Sequence, residues 1–133
     1  MILSGKEKDK APEHRFAPLI NGIISNLGIK SLLVYGDDSF LADLKADHKI
    51  TIQKHTPGYD LGDPVPCEMS VHLGLDVDAL DELRKLTTVV GFFVVKDQSR
   101  PNGWWLRKMI EDWNVQNFQV LDDSFYCIVY PDA

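Results

Sequence analysis

The sequence lacks most of the features that would announce a chemistry. It has two cysteines, Cys67 and Cys127, far apart and each beside strand-like apolar residues. They are expected to be buried, reduced thiols rather than a disulfide, as suits a cytoplasmic protein. Basic residues are outnumbered, 14 against 20 acidic ones, for a net charge of −6. The one basic cluster, Lys6, Lys8 and Lys10, is interleaved with Glu7 and Asp9. No basic stripe is present to neutralise phosphates, so nucleic acid is not an expected partner. No apolar run approaches the roughly 18 residues needed to cross a bilayer, so no membrane partner is expected. Met1 to His14 is polar and of mixed charge, without the apolar stretch of a signal peptide, and reads as a flexible arm. The H-x-E, C-x-x-C and G-x-S-x-G patterns are missing, which removes support for metal-hydrolase, zinc and serine-hydrolase readings.

What remains is the composition of a globular protein, 44% hydrophobic and 26% charged, with enough chain over 15–133 for a single core. From Phe16 the apolar residues Leu19, Ile20, Ile23, Ile24 and Leu27 keep the spacing of one helix face, with Pro18 in the first turn and Gly28 at the C-cap. Ser31–Tyr35 is a short buried strand ended by Gly36. Asp37, Asp38 and Ser39 offer N-cap chemistry to a short helix carrying Phe40, Leu41 and Leu44. Lys49 to Lys54 alternates as a second strand. Residues 55–66, with three prolines and two glycines, form a loop. Glu68–Leu75 reads as a strand and Asp76–Leu86 as a helix. Thr88–Lys96, the most apolar run, reads as a central strand. Trp104–Trp113 is a helix with Trp105, Leu106, Met109, Ile110 and Trp113 inward. Val115–Leu121 and Phe125–Tyr130, joined by a tight turn, form an antiparallel hairpin. Strands alternating with helices imply a mostly parallel sheet covered on both faces.

This order, with Leu33-Val34-Tyr35-Gly36-Asp37-Asp38-Ser39-Phe40-Leu41-Ala42 at the first strand and turn, resembles the class I S-adenosylmethionine-dependent methyltransferases. It is most similar to the compact methyltransferase-like proteins of bacteriophages and their bacterial hosts, whose corresponding stretch reads about L-D-Y-G-C-G-x-G-x-L-A. Pro66-Cys67-Glu68-Met69-Ser70-Val71, the run Leu80–Thr87 followed by Val90–Val95, and Trp104-Trp105 extend the similarity over about residues 16–130. The resemblance implies a reduced Rossmann-like methyltransferase fold, a mostly parallel sheet closed by a C-terminal antiparallel hairpin. It also implies a cofactor crevice at Tyr35, Gly36, Asp37, Lys54, His55 and Leu73.

The departures from the pattern carry equal weight. Only Gly36 survives of the glycines that let backbone approach a nucleotide. Val34 replaces the acidic residue of the first strand. Lys54 and His55 stand where a carboxylate takes the ribose hydroxyls. The element after the third strand and the substrate loop, here Asp97–Gly103, are stripped down. Two readings follow. The preferred one is a non-catalytic methyltransferase-fold protein without cofactor, phage-encoded, acting through a protein partner or as a homo-oligomer. The alternative is a divergent enzyme still using S-adenosylmethionine.

Other constellations have plainer explanations. Asp37 and Asp38, with Asp60 or Asp63, would suit a hard cation, but an Asp pair capping a helix explains them as well. Tyr59 and Glu68 are a candidate acid–base pair only by closeness in sequence. His72, inside an apolar strand, reads as a satisfied core or interface histidine rather than a ligand. Trp104 and Trp105 point about 100° apart on a helix, so one enters the core and the other stays partly exposed. With Arg100, they form the expected interaction surface.

Overall fold

The computed structural model describes residues 15–46, 48–55, 65–96 and 99–131. The first element is helix α1, Ala17–Leu27. It buries Ala17, Ile20 and Ile24 on one face and has Pro18 in its first turn. Gly28 ends it at φ 62, its N–H donating to the Ile24 carbonyl, a left-handed cap that a residue with a Cβ adopts only at a cost. Strand β1, Ser31–Tyr35, is buried from Leu32 onward. A 3-10 turn follows at Ser39–Asp43. It is held to α1 by Asn21, whose amide donates to the Asp43 carbonyl and accepts from the Lys45 N–H. The sequence assigned this segment to a short helix. Only Phe40 in it is buried, so there is no apolar stripe to extend it.

Strand β2 is Thr51–His55 and β3 is Cys67–His72. Helix α2, Val77–Leu86, opens on Asp76, whose side chain accepts the Ala79 N–H at 2.7 Å. It buries Ala79, Leu80, Leu83 and Leu86 and runs without a loop into β4, Thr87–Val95. Helix α3 is Asn102–Ile110, followed by β5, Trp113–Val120, and β6, Phe125–Pro131. The expected inner face of α3 is only partly right. Trp105 and Met109 are buried, whereas Ile110 is 56% exposed, and Trp113 belongs to β5 rather than to the helix.

The six strands form one sheet in the order β2-β1-β3-β4-β6-β5. The β2/β1, β1/β3 and β3/β4 pairs are parallel; β4/β6 and β6/β5 are antiparallel. β6, last in the sequence order, therefore lies between β4 and β5. Each face of the sheet carries its own core. α2 and α3 cover Leu33, Tyr35, Phe93, Val95, Cys127 and Val129. α1 and the 3-10 turn cover Leu32, Val34, Met69, Val71, Phe92 and Val94. Both cysteines are buried free thiols, Cys127 pushed up to about 12 by burial. No helix among the described residues is long and apolar enough to cross a membrane.

Candidate functional site

The chain leaves β1 to build β2 on one side, then returns to build β3 on the other. That reversal makes a topological switch point at the carboxyl ends of β1 and β3, where open α/β sheets bind their ligands. Most of the residues expected around the crevice stand there.

Parallel register aligns the strand tips. Tyr35 is level with His55 of β2 and with His72 of β3. Their rings form a row across three strands, with centroids 4.8 Å and 4.7 Å apart. The Tyr35 hydroxyl donates to Glu82 Oε2 at 2.9 Å from below α2, and Glu82 Oε1 lies 3.8 Å from His55 Nε2. Burial, then the Glu82 hydrogen bond, pushes the Tyr35 phenol up to about 12, so it stays protonated and can only donate to the carboxylate. His72 is held down to about 4, chiefly by burial and against the pull of Asp76. It is a neutral imidazole whose Nδ1 accepts the Gly74 N–H at 3.3 Å. The core reading of His72 stands. Glu82 and this ring row were not foreseen. The signal that would have found the row is positional, because Tyr35, His55 and His72 each close a strand.

At the turn itself, Gly36 has φ 84, a conformation that L side chains rarely adopt. A Cβ on Gly36 would meet Cε1 of His72 at 3.6 Å, an ordinary van der Waals contact, so the backbone angle and not want of space favours glycine here. The Gly36 N–H donates to the His55 carbonyl at 2.9 Å. Asp37 accepts the Ser39 N–H at 2.9 Å, and Asp38 pairs with Lys54 at 3.1 Å. The capping expected of the aspartate pair is therefore not made as such: Asp38, at the N-cap, makes no side-chain cap hydrogen bond and binds a lysine across the strand tips, while Asp37 closes a local turn one residue earlier. Leu73 is buried in the core on the α1 side.

Among the described residues, no group of three His, Cys, Asp or Glu side chains could hold a metal ion. Asp60, Asp63 and Tyr59 lie outside the described residues. Glu68 does not belong to this end of the sheet. Its carboxylate accepts the Lys30 N–H at 2.6 Å beside the start of β1, which removes it as a partner for chemistry at the tips. At the expected interaction corner Trp105 is fully buried, against Phe125 and Trp104. Arg100 lies 4.1 Å over the half-buried Trp104 ring. Only Arg100 and Trp104 therefore remain for contact.

The strand order, the parallel core and the closing antiparallel hairpin make this a reduced Rossmann-like methyltransferase fold. Among solved structures, the 16S rRNA methylase ArmA matches with a TM-score of 0.55 at 13% identity, over 98% of this chain and 92% of that one. Protein 1320 of Thermoplasma acidophilum matches with a TM-score of 0.56 at 7% identity, over 91% of this chain and 86% of that one. No protein-family model and no curated protein matches the sequence. At such identities the likeness is one of fold, and function has to be argued from the site.

Proposed function

We propose that this protein is a non-catalytic module of methyltransferase fold that works through protein contact and does not use S-adenosylmethionine. One observation carries the reading. The side chains that would hold the cofactor hold each other instead. A ribose diol at the tip of β2 needs an acceptor. The residues there are Lys54, a donor only and paired with Asp38 of the turn at 3.1 Å, and His55, whose imidazole offers one acceptor nitrogen at most, not the two oxygens of a carboxylate. Asp37 is engaged with Ser39, and Val34 offers no carboxylate to the cofactor's ammonium group. The residues present do not fit the cofactor, and no methyl-transfer step is derived from them.

Calorimetric titration with S-adenosylmethionine and S-adenosylhomocysteine tests this. No heat of binding is expected up to millimolar ligand. Micromolar binding would overturn the reading in favour of a divergent enzyme using that cofactor.

A further inference from the structure

The eight residues of β5, Trp113–Val120, include no charged side chain, although 26% of the chain is charged and its net charge is −6. β5 ends the sheet order. One side pairs with β6, and the other pairs with no strand among the described residues. Sheet edges are ordinarily guarded by lysine, proline or a bulge. β5 has only the bulge, a register shift between Val115 and Asn117, beyond which Asn117 to Val120 pair with Ile128 to Phe125. The side chains of that segment sort by face. Asn117 and Gln119 stand level with Ile128 and Tyr126, on the α1 side, and Gln119 Nε2 donates to Asn117 Oδ1 at 2.9 Å. Phe118 stands level with Cys127 on the α2–α3 side and stacks on Phe125 at 4.5 Å.

Resting on the contact-module reading above, we propose that this edge pairs with a second copy of the chain, β5 against β5, antiparallel, with Phe118 at the two-fold axis. An axis normal to the sheet keeps matching faces together, as residues opposite one another in a sheet require. In that register Asn117 of each copy meets Gln119 of the other, and Phe118 meets its own counterpart. Carboxamides both donate and accept, so Asn117 and Gln119 complement each other across the axis, whereas a single charge at either would face an amide that cannot neutralise it. Two chains of net charge −6 approach at least electrostatic cost along an uncharged strand. A cationic partner would need carboxylates that this edge lacks. The chain's own first residues, with Lys6 to Lys10 all charged, offer no alternation of amide and apolar side chains to match it.

Sedimentation of the full chain over a roughly hundredfold range of concentration should show the 15.1 kDa monomer giving way to twice that mass. Asn117→Lys with Gln119→Lys sets like charges opposite each other twice and should hold the protein at monomer mass. Asn117→Lys with Gln119→Glu sets lysine opposite glutamate twice and should restore the dimer. Independently of any variant, hydrogen exchange of the 117–120 amides should slow as concentration rises, while that of β2 does not. A monomer at every concentration, a dimer indifferent to both double variants, or equal loss in both overturns the proposal. A monomer that also ignores S-adenosylmethionine would end this inference and leave the contact-module reading standing. Cofactor binding would end that reading whatever the mass.

Discussion

Acid should weaken this fold through one side chain, His72. The ring is buried, and its Nδ1 accepts the Gly74 N–H, which a protonated nitrogen cannot do. Its folded pKa is lowered to about 4, against about 6.5 for an exposed imidazole in the unfolded chain. Between those values the unfolded state binds the proton and the folded state does not, so stability falls as pH drops from about 6.5 toward about 4. The full difference is worth about 3 kcal/mol at 1.36 kcal/mol per pKa unit. The assay is urea denaturation of wild type and His72→Gln at neutral pH and near pH 4.5. The variant keeps a polar side chain that does not titrate. Carboxylates such as Asp123, held low by Arg15 and Ser124, are common to both proteins and cancel in the comparison. Wild type should lose about 2 to 3 kcal/mol more than the variant over this range. Parallel stability–pH curves would refute the argument.

Two further outcomes follow from packing. Trp105 is fully buried and its indole N–H has no partner among the described residues. Trp105→Ala should cost about 3 to 5 kcal/mol, whereas Trp105→Phe, which removes the orphaned donor and keeps much of the contact, should cost clearly less. Denaturant midpoints would check both. Gly91 of β4 lies beneath the Phe93 ring, and a Cβ there would come within 2.7 Å of Phe93 Cζ and 3.1 Å of Val129 Cγ2. Gly91→Ala should therefore destabilise by about 1 to 3 kcal/mol through overpacking, read from thermal melting. A stabilised variant would show that the ring moves aside freely.

Much of the architecture was legible because its determinants are local. Leu33 to Tyr35 and Thr88 to Lys96 are apolar runs of strand length, and Phe16 to Leu27 and Val77 to Leu86 keep helical spacing. The short link at Asp122–Ser124 fixes the hairpin. The end of α3 was misjudged because Trp113 falls four residues after Met109. That is helical spacing, yet Trp113 reaches the same core from a strand. The site was legible only in part. The first strand and its turn were enough to put Gly36 and Asp37, and the end of the second strand Lys54, at one end of the sheet. The pairing of Lys54 with Asp38 and the bridging role of Glu82 arise from parallel register and from the docking of α2, long-range facts that no window of sequence contains. Trp104 and Trp105 showed the reverse: helical geometry alone foretold that one would be buried and one partly exposed.

The position of β6 has a consequence for how the protein is made. β4, the most apolar strand, has one edge against β3 and waits for the other until residues 125–131 exist. During synthesis some thirty residues, including all of α3 and β5, must follow β4 before that edge is sealed. Until β6 docks, the chain has an unpaired apolar strand edge, the state in which chaperones or a second chain compete for it.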